Sequence, residues 1–191
     1  MSKRSLGPRT LLYPAPVLLV GTYDAEGRPN IMTAAWGGIC CSRPPCIYVS
    51  LRAATLTHSL IVAGGCYTVS IPSAGLIQQA DHAGIASGRD ENKFEALGLT
   101  DVQASHVQAP YVDECPVVLE CRLVTTLELG SHTQFVGEVI DVRVDEQVLG
   151  EDGAPLIERI QPVLFDTGGR KYYGVGELLG DAFSIGRRAQ E

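Results

Sequence analysis

The sequence predicts a mainly β protein with short helices, folded as a closed antiparallel barrel, and three features carry that expectation. From Val117 to Leu129, residues Leu119, Cys121, Leu123, Thr125 and Leu127 alternate with Val118, Glu120, Arg122, Val124 and Thr126. After a turn at Gly130-Ser131, the stretch from Gln134 to Val144 alternates again, with Val136, Ile140, Val142 and Val144 on one face. A second hairpin is written in Val17 to Tyr23 and Asn30 to Ala35, which flank the turn Asp24-Ala25-Glu26-Gly27. The third feature is the content of 21 glycines and 11 prolines, which favours many turns and short strands. Closing such hairpins into a barrel, with the helices at its ends, removes exposed strand edges.

The remaining elements follow from local signals. Gly37-Gly38 and Pro44-Pro45 predict an irregular loop around Cys40 and Cys41, followed by an apolar strand from Cys46 to Leu51. Thr57 is the expected N-cap of a short helix containing Leu60, Ile61 and Val62, which Gly64-Gly65 ends. Tyr67 to Ile71 reads as a strand, and Ser73 can cap a second helix running through Gln79 to about Ala83. Asp90 can cap a further turn ending near Gly98, in which Lys93 and Phe94 are neighbours, so one can face a ligand while the other packs. Beyond the long hairpin come a connector from Gly150 to Pro155, a short strand around Val163 to Phe165, and Gly168-Gly169 leading to Tyr172-Tyr173.

A chain of 191 residues supports one domain over 1–191, with an N-terminal extension over 1–12 and a tail over 183–191, frayed or draped on a partner subunit. The net charge of −7 gives no footprint for nucleic acid, and an anionic ligand must be met by a few local cations. No apolar run reaches the length of a bilayer span, and Met1 to Pro14 lacks the apolar core of a signal peptide, so a cytoplasmic protein is expected. The six cysteines lie mostly in apolar stretches without paired Cys-x-x-Cys spacing, which favours free thiols and no metal.

The stretch from Asn30 to Thr57 reads as a cofactor cradle. Asn30, Met32, Thr33, Ala34 and Ala35 end a strand whose small residues leave the main chain open to a flat ligand, and Trp36 follows at once. The strand ending in Ser50 and Leu51 delivers Arg52, and then the helix start at Thr57, so a guanidinium, a hydroxyl and free backbone N–H groups converge. Thr55 and Ser59 are further hydroxyls there, indistinguishable in sequence from capping residues. A planar group at one end and a phosphate at the other outline flavin mononucleotide (FMN), though pyridoxal phosphate or another phosphorylated ring fits the pattern equally. Trp36 also suits a core or interface anchor, Asn30 a strand opening, Phe165 a core position, and Arg52 and Lys93 a solvated surface.

Tyr-Pro-Ala-Pro-Val at 13–17, Gly-Thr-Tyr-Asp-Ala-Glu-Gly at 21–27, Asn-Ile-Met-Thr-Ala-Ala-Trp at 30–36, Cys-Cys-Ser-Arg-Pro-Pro at 40–45, Ser-Gly-Arg-Asp-Glu-Asn-Lys-Phe at 87–94 and Gln-Phe-Val-Gly-Glu-Val at 134–139 carry a family likeness. Together they resemble the flavin reductase-like flavoproteins of the FMN-binding split barrel. That resemblance implies noncovalent FMN, a homodimer, and electron transfer between a reduced donor and an acceptor, with its electron-carrier members the nearer likeness. The partner is then a redox protein or, in a reductase, NAD(P)H; a flavin-binding sensor or storage protein is a third reading. No Gly-x-Gly-x-x-Gly follows a strand, so NAD(P)H would stack directly over the flavin.

The resemblance also implies roles for single residues. Trp36 lies beside the flavin edge, the Asn30 amide holds the flavin side chain or a nearby loop, and Lys93 joins Arg52 and Thr57 at the phosphate. Phe165 closes over the site. Apart from the resemblance, Cys40 and Cys41 sit in an apolar loop beside that site, where a thiol can pack and tune the ring environment or, as the sharper reading, be reactive. His132 faces the flavin or its electron donor, although Gly130-Ser131-His132 stands where many family members have Gly-Asp-His. His58 reads as flanking its helix, His82 and His106 have no partners visible in sequence, and no catalytic acid–base pair can be named.

Overall fold

In the computed structural model, which describes residues 2–187, the chain starts with an irregular arm and a short strand β1 (Ala15–Pro16). The strands β2 (Leu18–Tyr23), β3 (Pro29–Ala34), β4 (Gly37–Ser42) and β5 (Pro45–Leu51) lead to helix α1 (Leu56–Gly64). Then come β6 (Cys66–Ile71), α2 (Ile77–Ile85), α3 (Lys93–Leu97), β7 (Asp101–Gln103) and β8 (Pro110–Val112). The long pair β9 (Val117–Leu129) and β10 (His132–Val144) precedes α4 (Ile157–Ile160), β11 (Leu164–Asp166) and β12 (Lys171–Tyr173). Of the tail, residues 188–191 lie outside the described part, so its end carries no structural account.

The predicted closed barrel is not formed. A seven-stranded antiparallel sheet runs in the order β3-β2-β6-β9-β10-β5-β4, and among the described residues no sheet closes on itself. The reason lies in the connection between its two edges. Strands β3 and β4 are joined by Ala35 and Trp36 alone, and six antiparallel steps separate them in the sheet, so the two edge strands run parallel. They are successive parts of one chain path bent at Trp36: the first part pairs with β2 and the second with β5. Elsewhere β3 is covered by α2, and the Thr33 hydroxyl donates to the carbonyl of Ala80.

Strand β2 is buried on both faces. Leu18 and Val20 join Val49, Leu51, Ile61, Tyr67, Val69, Cys121 and Phe135 in the core inside the curled sheet. Val17, which precedes the strand, and Leu19 join Ile31, Ala80, Ala83, Phe94, Val112 and Val163 in a second core beneath the helices. Gly21 sits where a loop crosses the strand, and a Cβ there would lie 2.0 Å from the carbonyl oxygen of Pro110. Each fully buried Leu, Val, Ile or Phe contributes about 1.5–3 kcal/mol, so these two layers hold the sheet in shape.

Several element boundaries differ from expectation. The stretch around Cys40 and Cys41 is a strand, β4, with a register shift between Ile39 and Cys41. Its residues are largely exposed, which removes the burial pattern that signals a strand. Thr55 caps α1 in place of Thr57, its hydroxyl accepting from the His58 N–H, and Asn92 caps α3 in place of Asp90. In the long hairpin only Thr133, Phe135 and Gly137, near the turn, alternate as buried positions on β10, and at the base β9 buries Val117, Val118, Glu120 and Cys121 from both faces. Val124, Leu127 and Leu129 lie past the core and are exposed.

Candidate functional site

A cleft of about 490 Å³ opens between the bent β3–β4 path, the end of β5 and helix α2. Met32, Thr33, Ala34 and Ala35 line it from the first, Ser50, Leu51 and Arg52 from the second, and Asp81, Gly84 and Ile85 from the third. Trp36, His132, Phe165 and Tyr172 stand at its rim, with Val17 and Thr55 completing the lining. The sequence folds this way because β5 ends at Leu51 and α1 begins at Leu56, the link held by a turn in which the Thr55 N–H donates to the Arg52 carbonyl at 3.0 Å. Across the gap the Ser50 N–H donates to the Trp36 carbonyl at 2.7 Å, which fixes the bend.

The cleft combines two kinds of group. Trp36 and His132 have parallel rings, 6.4 Å between centroids and 5° between planes, and Trp36 is 39 % exposed. The His132 Nδ1 is 2.9 Å from the Ser131 hydroxyl, which stands where the acidic neighbour would be. Tyr172 packs on Phe165 at 5.6 Å between ring centroids, and its hydroxyl donates to Asp81 at 2.7 Å. Burial, helped by that hydrogen bond and the Asp81 charge, pushes the Tyr172 phenol up to about 12. Arg52, which follows Leu51, the partner of Thr133 on β10, is exposed and forms no ion pair among the described residues. It lies beside the first turn of α1, where backbone N–H groups lack helical acceptors.

Ten of the fifteen residues expected from sequence meet in this cleft: Met32, Thr33, Ala34, Ala35, Trp36, Ser50, Leu51, Arg52, His132 and Phe165. Asn30, Thr57, Lys93, Cys40 and Cys41 are not in its lining. Asn30 is 6 % exposed and its amide donates to Thr22 at 3.0 Å and to Thr57 at 2.9 Å, so it ties two strands to α1. Lys93 is 2 % exposed and its ammonium donates to the Ala83 carbonyl at 2.8 Å near the end of α2. Desolvation lowers its pKa to about 8, against the opposing influence of Glu91. Cys40 and Cys41 are exposed on β4, and all six cysteines are free.

Sequence reasoning missed Val17, Asp81, Gly84, Ile85 and Tyr172 in the lining. Asp81, Gly84 and Ile85 recur at the helical spacing of three and four, a signal that was present in the sequence. Arg89 was missed as a cation; its guanidinium donates to the Ala54 carbonyl at 2.8 Å, beside the start of α1. His82 and His106 do have partners, Glu91 at 2.6 Å and Glu120 at 3.3 Å. His58 bonds Thr133 at 2.9 Å beneath the sheet.

Residues 10–174 match the flavin reductase like domain. The chain belongs to that family. Among solved structures, this flavin reductase-like chain is similar to flavoredoxin of Desulfovibrio vulgaris (Miyazaki F), with 55% identity and a TM-score of 0.94 over 97% of this chain and 100% of the other. Flavoredoxin from Methanosarcina acetivorans is 29% identical, with a TM-score of 0.91 over 98% of each chain. An uncharacterised protein of Archaeoglobus fulgidus is 38% identical over 144 residues, covering 75% of this chain and 79% of that protein. No helix among the described residues is long and apolar enough to cross a membrane.

Proposed function

We propose that this chain is an FMN-containing redox flavoprotein of the flavoredoxin type, carrying electrons between a reduced donor and an acceptor. The observation that carries the reading is that open backbone, flat rings and an unpaired cation meet in one cleft. Ala34-Ala35 and the flat Trp36 line the same cleft as Arg52, which lies beside a helix start. The donor set fits FMN: small and aromatic residues accept a planar ring, and a guanidinium with helix N–H groups accepts a phosphate. Likeness to flavoredoxin at 55% identity over nearly the whole chain supports it.

Bound FMN would supply the redox-active ring. Ala34, Ala35 and the Ser50–Trp36 hydrogen bond would orient the ring, and Arg52 and the first turn of α1 would hold the phosphate. Trp36, His132, Phe165 and Tyr172 would shield the mouth from water. Asn30, Thr57 and Lys93 support these walls from within. A homodimer is part of the proposal, supported by exposed Val124, Leu127 and Leu129 at the far end of the long hairpin. A cytoplasmic setting and a redox protein as partner complete it. The family description favours a second reading, an NAD(P)H-dependent flavin reductase.

The test is anaerobic spectroscopy of the purified protein. A yellow protein that releases FMN, and not FAD, on denaturation supports the proposal, and a colourless one that FMN cannot reconstitute defeats it. Rapid bleaching by a reduced iron-sulfur protein but not by NADH or NADPH supports the carrier. Bleaching by a nicotinamide nucleotide at turnover rates moves the assignment to a reductase, and bleaching by neither leaves a sensor or storage protein.

A further inference from the structure

Strands β4 and β5 form a hairpin that turns at Arg43-Pro44, and its register sets Cys41 directly opposite Cys46. Residues opposed in this way have Cα atoms about 4.5–5.5 Å apart and side chains on the same face. A disulfide accepts Cα separations of about 4.4–6.8 Å. The backbone is therefore already spaced for a bond, and side-chain rotation supplies the rest. The register shift between Ile39 and Cys41 leaves Cys40 as the additional residue, without a partner on β5.

The two thiols differ in access. Cys41 is exposed and donates weakly to the Arg43 carbonyl at 3.4 Å, whereas Cys46 is 6 % exposed and belongs to neither core cluster. Ile47, Val49 and Leu51 of β5 point into the core, so Cys46 lies on the outward face together with Tyr48 and Ser50. Its neighbour on β10 is Glu138, whose carboxylate is held by Arg122 at 2.7 Å. An open thiol thus stands against a sheltered one, the arrangement of a peroxide-facing cysteine and its resolving partner.

We propose that Cys41 and Cys46 are a reversible redox pair, closed to a cross-strand disulfide by a hydroperoxide. The Cys41 thiolate attacks the O–O bond of hydrogen peroxide and takes one oxygen as a sulfenic acid; the other leaves as hydroxide, which takes up the proton the thiol gave up and becomes water. Cys46 sulfur then attacks the Cys41 sulfur; the S–O bond breaks, and the oxygen leaves with the Cys46 proton as water. Two thiols and one hydrogen peroxide become one disulfide and two waters, with two electrons passing from sulfur to oxygen. The bond staples the free edge strand to β5 in the hairpin that carries Trp36 and Ser50 at its open end. The pair does not depend on the identity of the cofactor.

The test uses the full reduced protein treated with a small excess of hydrogen peroxide, then alkylated under denaturing conditions and weighed. The expected result is a single chain that takes up four alkyl groups in place of six and has lost two hydrogens to the bond, with full recovery of six by dithiothreitol. Cys41→Ser should abolish the bond and Cys40→Ser should leave it intact; both positions are exposed, so folding is not the variable. A disulfide that survives Cys41→Ser, disappears in Cys40→Ser or links two chains would overturn the assignment. So would unchanged thiols, or oxygen addition without a bond.

Discussion

Two sets of polar residues that the sequence offers to the cofactor behave in opposite ways. Asn30, Thr57 and Lys93 are buried and have their polar atoms bonded within the protein. Arg52 and Thr55 stand on the cleft, and Arg52 is free of ion pairs among the described residues. A buried donor already partnered is costly to remove and has little to offer a ligand, whereas an exposed cation costs the fold little and keeps its charge for an anion. The first set should therefore govern stability and the second FMN affinity.

The largest expected effect is a pH dependence at Lys93. Its folded pKa of about 8 lies below the usual 10.5. Between these values the unfolded chain holds a proton that the folded chain lacks, so the Lys93 contribution to stability rises with pH across that window. The total is roughly 3 kcal/mol. Cys115 and Cys121, both pushed up to about 12 by burial, act in the opposite sense and lower stability as pH rises above about 9. The measurement is therefore the difference between wild type and Lys93→Met in urea unfolding, followed from pH 7 to 10.5. A pH-independent difference removes Lys93 from the buried set, and loss of FMN with riboflavin binding retained would move it to the phosphate.

Next is Asn30→Ala, which strips the Thr22 and Thr57 hydroxyls of their shared donor and should cost about 2–3 kcal/mol. The urea midpoint should fall while FMN affinity of the folded fraction changes little. Arg52→Ala should do the reverse, weakening FMN binding roughly tenfold to a hundredfold with stability within about 0.5 kcal/mol. Riboflavin, which lacks the phosphate, should bind Arg52→Ala nearly as it binds wild type. Equal loss of both ligands would put the ring, not the phosphate, at Arg52. The smallest effect is Thr55→Ala, about 1 kcal/mol from the lost cap together with a few-fold weaker FMN binding.

The extent to which these residues were legible depends on how local their determinants are. The limits of β9 follow its period-two alternation, and Gly65 and Gly98 end α1 and α3 in the left-handed conformation expected of them. The same local logic failed at β4, where Gly37-Gly38 and Pro44-Pro45 signal a loop and the exposed face of an edge strand offers no alternation to contradict them. It also failed at Thr55 and Thr57, two threonines with equal claims to the cap. The bond from Asn30, 27 positions away, engages the Thr57 hydroxyl, and the Thr55 backbone takes the extended N-cap conformation.

By itself the sequence determined a mainly β chain, its principal hairpins, the family, and ten residues that do meet in one cleft, because alternation, turn chemistry and short motifs act over neighbouring residues. Only the tertiary structure decided that the sheet stays open, with its two edges linked through Ala35-Trp36. It also decided that Lys93 lies beneath α2 while Arg52 faces the cleft, and that Asp81 and Tyr172 join the rim. Burial and partnership are properties of elements brought together from distant parts of the chain. A cation in sequence carries no mark of which carbonyl, or which ligand, it will meet.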